Sequence, residues 1–170
     1  MKALIIGRFQ PLHIGHLDLA KQIHEKGYEL IIGIGDNGRE RTKRYPFNHK
    51  EVKKMWEPYK EELKAKIFRI PDIPNDSSYA EHVENITGCN ELDTVIVSGN
   101  KHTIDCFTKY NRNYKIITLE RDLKSNFPEI CGTKIRNLIK ENKDWKSLLP
   151  KCTISVIENV DGAHIIKKLC

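Results

Sequence analysis

Five short apolar runs punctuate the chain: Ala3 to Ile6, Glu29 to Gly35, Lys66 to Ile70, Asp93 to Val97 and Tyr114 to Leu119. Each has the length and continuous apolar character of a strand buried on both faces, as in a parallel sheet. Between the runs, apolar residues return every third or fourth position. Leu17, Ala20 and Ile23 precede a stop at Gly27, and Val52, Met55, Trp56, Tyr59 and Leu63 follow Asn48 as a plausible N-cap. This spacing predicts helices over 17–26 and 49–63, the second with its aromatic stripe in the core. Further helices are predicted over 79–87, ended by Gly88, over 101–110, and after Cys131, where Ile135, Leu138 and Ile139 face inward. Strand and helix alternate five times, which predicts an α/β fold of about five parallel strands with helices on both faces. Ile154, Ile157, Val160, Ile165 and Ile166 then mark a helical tail of one or two short segments.

Composition narrows the class. At 170 residues the length suits a single domain over 1–170 with a proper core. With 39% hydrophobic and 31% charged residues, wholesale disorder is excluded. No apolar run approaches the roughly 20 residues of a membrane span, and the first residues read as a strand, not a signal peptide, so the expectation is a cytoplasmic protein without a membrane partner. The five cysteines, Cys89, Cys106, Cys131, Cys152 and Cys170, are odd in number and contain no Cys-x-x-Cys pair, which fits reduced thiols. Lys and Arg number 29 against 23 Asp and Glu, a net charge of +6 that favours anionic partners, nucleotides or nucleic acid.

The chemistry concentrates where the first strand meets the first helix, at Gly7-Arg8-Phe9-Gln10-Pro11-Leu12-His13-Ile14-Gly15-His16. Gly7 lets backbone approach a ligand, Pro11 stiffens the turn, and the helix start presents N–H groups to an anion. His13 and His16 are three apart and can share one side of the helix start. As zinc ligands they lack a third partner at short spacing, so no metal site is expected. A second phosphate signal is Cys131-Gly132-Thr133-Lys134-Ile135-Arg136, where Thr133 sits near a helix cap and Arg136 stands in the first turns against the helix dipole. Gly33-Ile34-Gly35-Asp36-Asn37-Gly38 has the spacing of a dinucleotide fingerprint but runs into the charged stretch Arg39 to Tyr45 instead of a helix. That stretch reads as a mobile basic flap beside the sheet edge. No Gly-x-x-x-x-Gly-Lys loop and no Ser/His/Asp set is present.

The string Gly-Arg-Phe-Gln-Pro-x-His-x-Gly-His resembles the nucleotidyltransferases with the His-x-Gly-His motif, and within them the archaeal-type nicotinamide-mononucleotide (NMN) adenylyltransferases. The resemblance runs nearly the full length and includes Ser98-Gly99-Asn100, the segment at 131–136 and Asp144-Trp145-Lys146-Ser147-Leu148-Leu149-Pro150. It implies a Rossmann-like nucleotidyltransferase fold and transfer of AMP from MgATP to NMN, or to nicotinate mononucleotide, with pyrophosphate released. His13, His16, Arg8 and Arg136 would then be catalytic, and Gly7, Phe9, Gly15, Arg44, Gly132 and Thr133 would hold ATP and its phosphates. Asp76, Tyr79, Ser98, Gly99 and Asn100 would receive the acceptor, Asn100 doubling as an N-cap. Mg²⁺ would ride on ATP without a protein cage, and a homo-oligomer is implied.

The chain departs from the family's pattern in three places. Asp76 and Tyr79 stand where the family carries Asn and Trp, and Cys131 replaces a Ser. Tyr still stacks on a heteroaromatic ring, whereas Asp brings a charge and no amide donor. The altered pair keeps another acceptor, such as FMN or phosphopantetheine, as an alternative. The cytidylyltransferase string Arg-Thr-x-Gly-x-Ser-Thr is absent. From a different class, a non-catalytic nucleotide- or nucleic-acid-binding module would show steep salt dependence and no pyrophosphate release.

Overall fold

The computed structural model describes residues 1–38, 40–110, 112–118, 123, 126–127 and 129–169. Five strands, β1 (Lys2–Gly7), β2 (Glu29–Asp36), β3 (Lys66–Pro71), β4 (Thr94–Val97) and β5 (Lys115–Ile117), form one parallel sheet in the order β3-β2-β1-β4-β5. The expected last residue of the fifth strand, Leu119, lies outside the described residues.

Residue parity along the strands divides the core. Ala3, Ile5, Leu30, Ile32, Ile34, Val95 and Val97 point to one face, where α1 (Ile14–Glu25) and α2 (His49–Glu62) pack with the C-terminal helices. Leu4, Ile31, Ile70 and Ile96 point to the other, under α3 (Tyr79–Thr87) and α4 (Lys101–Thr108). Continuous apolar runs are what a sheet covered on both faces requires. Val52, Met55, Trp56 and Leu63 are buried as the stripe predicts, with Tyr59 packed at the margin.

Helix ends follow the cap chemistry. The Asn48 carboxamide accepts from Glu51 N–H at 3.0 Å while Glu51 accepts from Asn48 N–H at 2.9 Å, a reciprocal capping box. Gly88 ends α3 at a φ of 69°, and the Asn100 side chain caps α4 by accepting from Thr103 N–H at 3.2 Å. The tail consists of α5 (Gly132–Lys140), a 3₁₀ turn (Lys146–Leu148), α6 (Lys151–Asn159) and α7 (Gly162–Lys168). Among the described residues no helix is long and apolar enough to cross a membrane. Strand order reverses between β1 and β4, so the connections leaving their carboxyl ends run to opposite faces, α1 to one and α4 to the other, and leave a crevice where α/β sheets bind ligands.

Candidate active site

The loop after β1 is held by its own side chains. Phe9 adopts a left-handed φ of 48° and is 3% exposed, its ring edge-on to His16 at 4.9 Å and to Trp56 at 5.0 Å. A Cβ on Gly7 would lie 2.8 Å from the Phe9 ring, so glycine is what admits the ring there. Gln10 is buried and treats Phe47 as a strand partner. Its amide donates to the Phe47 carbonyl at 2.8 Å and accepts from the Phe47 N–H at 2.9 Å. Phe9 and Gln10 therefore shape and pin the loop, while Arg8 stays exposed, with its guanidinium carbon 4.9 Å from the centroid of the Tyr45 ring. The Tyr45 hydroxyl in turn donates to Asp72 at 3.2 Å.

The stretch read as a basic flap is fastened at its middle. Arg41 forks onto the Glu51 carboxylate, with Nη1 to Oε2 at 2.8 Å, and also donates to the Pro46 carbonyl. The same Glu51 serves the α2 cap, so the carboxylate ties loop to helix. Arg44 is exposed and reaches the cleft; Arg39 lies outside the described residues. The glycines at 33, 35 and 38 lead into this loop and not into a helix, and Gly35 lies on the cleft wall.

The two histidines take unequal positions, because α1 begins at Ile14, three residues earlier than its hydrophobic pattern predicts, and His13 becomes the N-cap residue. His13 is buried, with Nδ1 unpartnered, and does not reach the cleft; Gly15 lies behind it, also off the wall. His16 stacks on His13 at 3.5 Å between centroids, 21° from parallel, and lines the cleft. The His13 N–H donates to His16 Nδ1 at 3.3 Å. With Nδ1 acting as acceptor, the neutral ring carries its proton on Nε2, the donor His16 can offer to a ligand. Burial lowers the His13 pKa to about 4, and burial together with the neighbouring His13 holds His16 well below its ordinary value. Both rings are neutral at pH 7.

The second phosphate signal joins the first by direct contact. Arg136 bends back from α5 to donate to the Gln10 carbonyl at 2.6 Å and to the Thr133 hydroxyl at 3.1 Å. The approach is close enough that a Cβ on Gly132 would meet the Gln10 oxygen at 2.8 Å. Arg136 thus points along its helix toward the N-terminus, which brings its charge to the start of α5 beside the first loop. The exposed Cys131 caps the helix, its sulfur accepting weakly from Lys134 N–H at 3.5 Å.

These groups line one cleft of about 730 Å³. Of the residues singled out in the sequence, Gly7, Arg8, Phe9, His16, Arg44, Asp76, Tyr79, Asn100, Gly132, Thr133 and Arg136 are on its wall. Ser98 and Gly99 are not. Ser98 is buried, its hydroxyl accepting from Asn100 N–H at 3.1 Å, and so builds the turn after β4. Tyr79 is held edge-on to Phe107 at 6.0 Å, and burial raises the pKa of its phenol, which stays neutral. Sequence reasoning passed over Asp72, His102, Thr103 and Cys106, which also line the cleft. The i, i+4 spacing of His102 and Cys106 on α4 was the one signal for any of them.

The cytidylyltransferase-like family matches residues 4–165. The chain is 34% identical to the nicotinamide-nucleotide adenylyltransferase of Methanococcus aeolicus, covering 99% of this chain and 95% of that protein. It is 32% identical to the enzyme of the same description from Thermococcus sibiricus, covering 99% and 89%. Among solved structures it is similar to the bifunctional NMN adenylyltransferase/ADP ribose pyrophosphatase of Francisella tularensis, complexed with AMP and a manganese ion, at a TM-score of 0.70 and 20% identity. That likeness covers 99% of this chain but only 51% of the other, so the chain spans about half of that protein and shares its fold. A nearly full-length family match and relatives above 30% identity agree with the paired phosphate signals at one sheet edge: the chain belongs to the cytidylyltransferase-like family, with the nicotinamide-nucleotide adenylyltransferases as its near relatives.

Proposed function

We propose that this protein transfers AMP from MgATP to NMN, giving NAD and pyrophosphate. The acceptor's phosphate oxygen forms the new bond to the α-phosphorus as the bond to the bridging oxygen of the pyrophosphate breaks. The attacking oxygen is already anionic, so no general base is needed; positioning and charge stabilisation carry the step. Arg8, Arg44 and Arg136 with the start of α5 hold the phosphates, Thr133 lies between them, and the His16 Nε2–H donates to charge developing at the α-phosphate. His13 positions His16 from behind through the ring stack and the backbone N–H. Mg²⁺ would enter with ATP, as part of the nucleotide substrate.

The observation that carries this reading is one cleft with arginines and a neutral histidine donor at the phosphate signals and Asp76, Tyr79 and Asn100 on the facing segments. Tyr79 offers a face for the pyridine ring, and the Asp76 carboxylate accepts from a carboxamide NH₂ but repels a carboxylate. The amide substrate is therefore preferred over nicotinate mononucleotide. A cytoplasmic homo-oligomer is the setting we assign, in line with the resemblance and the charged composition. The test is pyrophosphate release from MgATP with NMN, nicotinate mononucleotide, FMN and phosphopantetheine each offered separately. Release with NMN supports the reading; release only with FMN or phosphopantetheine keeps the mechanism and replaces the acceptor. Binding of ATP with no release for any of the four overturns the proposal.

A further inference from the structure

Asp76, His102 and Cys106 each direct one donor atom into the same corner of the cleft, all within 4.8 Å of one another. Among the described residues no other His/Cys/Asp/Glu group of three comes together this way. The three come from two segments. His102 and Cys106 are four apart on α4 and project from one side of the helix, and Asp76 opens the 3₁₀ turn that faces them. The His102 Nε2 and Asp76 Oδ1 atoms are 3.6 Å apart. Bonds of about 2.0–2.3 Å to a tetrahedral ion set neighbouring donors about 3.3–3.8 Å apart, so this pair already has the right separation. Asp76 and His102 are exposed and can swing inward, whereas Cys106 is buried and fixed by its helix.

We propose that this corner is a binding site for a thiophilic divalent ion of the zinc type, held by Asp76, His102 and Cys106 with its fourth position open to the cleft. The donor set decides the ion. Thiolate plus imidazole plus one carboxylate suits Zn²⁺ or Co²⁺ and offers little to Mg²⁺, which prefers oxygen donors and keeps its waters. The site is therefore separate from the Mg²⁺ carried by ATP. The Cys106 thiol gives up its proton to solvent on coordination, so binding strengthens as pH rises. On the reading that Asp76 receives the acceptor, the ion and the acceptor contest one carboxylate, and the ion acts as an inhibitor competitive with NMN and not with ATP.

Cobalt reports the ligands without any need for activity. Chelator-stripped protein, kept reduced with a phosphine, is titrated with Co²⁺ and then with Zn²⁺ as competitor. One equivalent of Co²⁺ should give a thiolate-to-cobalt charge-transfer band and tetrahedral d–d bands, both abolished by Zn²⁺ and untouched by excess Mg²⁺. Cys106→Ser should remove the charge-transfer band. His102→Ala, at an exposed position that leaves folding intact, should weaken Co²⁺ binding by more than about tenfold. A spectrum of octahedral cobalt without a thiolate band, or one unchanged in both variants, overturns the site. A protein that shows the bands but releases no pyrophosphate with NMN keeps the metal site and loses the acceptor assignment, so the two failures are distinguishable.

Discussion

The rings of His13 and His16 lie 3.5 Å apart between centroids and 21° from parallel, while the His13 N–H donates to His16 Nδ1. The pair is a donor on the cleft wall and a buried support behind it, not two equal ligands. His16→Ala should lower turnover by about 10²-fold or more with a small effect on the KM for ATP, as removal of a single preorganised donor does. His13→Ala should lower turnover less and also lower stability, since it opens a buried cavity under the stack. Steady-state kinetics beside urea unfolding separates the two roles, and turnover near wild type in the His16 variant would remove that residue from the chemistry.

The same burial makes stability pH-dependent in a defined window. The folded-state pKa of His13 is lowered to about 4 from 6.5, and that of His16 lies well below 6.5. Between pH 6.5 and about 4 the unfolded chain takes up protons that the folded chain refuses. Stability attributable to these rings is therefore complete above pH 6.5 and is lost as pH falls, by about 3 kcal/mol for His13 across the window. Urea midpoints at pH 7.0, 5.5 and 4.5 should show a shallower decline for His13→Asn than for wild type, and parallel declines would contradict the assignment.

Two arginines of one loop should behave as opposites. Arg41 is tied to Glu51 and the Pro46 carbonyl, so Arg41→Ala leaves a largely buried carboxylate without its fork and should cost about 1–3 kcal/mol in stability with the KM for ATP nearly unchanged. Arg44→Ala should raise that KM about tenfold and leave the unfolding midpoint in place. Calorimetric melting and initial-rate kinetics on both variants decide it.

Gly132 is a clearance between the loop after β1 and the start of α5. Alanine there would put Cβ 2.8 Å from the Gln10 carbonyl oxygen and 3.1 Å from Arg136 Nη1. The backbone must move apart, which should break the Arg136 bond to Gln10, cost about 1–3 kcal/mol, and raise the KM for ATP. Unfolding and ATP-dependence curves for Gly132→Ala report both effects.

On the proposed reading, acceptor choice rests on the charge of Asp76. In Asp76→Asn the repulsion of a substrate carboxylate disappears, so kcat/KM for nicotinate mononucleotide relative to NMN should rise about tenfold. An unchanged ratio would move discrimination to another group on the cleft.

Local rules made much of this protein legible. The apolar runs fix the strands, and because side chains alternate, the parity of Ala3 and Leu4 already assigns each to a face of the sheet. Asn48, Gly88 and Asn100 announce their helix ends through caps that act within three residues. The two loop-helix junctions that meet at the cleft are legible too, since their glycines, histidines and arginines lie within short stretches of chain. Tertiary contact alone separated residues of the same type. His13 faces the core and His16 the cleft because α1 starts at Ile14, and Arg41 differs from Arg44 because Glu51, ten residues away, had its carboxylate in reach. Phe9 and Gln10, motif residues by resemblance, turned out to brace the loop against Trp56 and Phe47. Asp76 meets His102 and Cys106 only because α3 and α4 pack side by side on one face of the sheet, which sets the turn before α3 against the start of α4. Periodicity reports which way a residue faces within its own element, whereas distances between donors on different elements are set by how the whole sheet is packed.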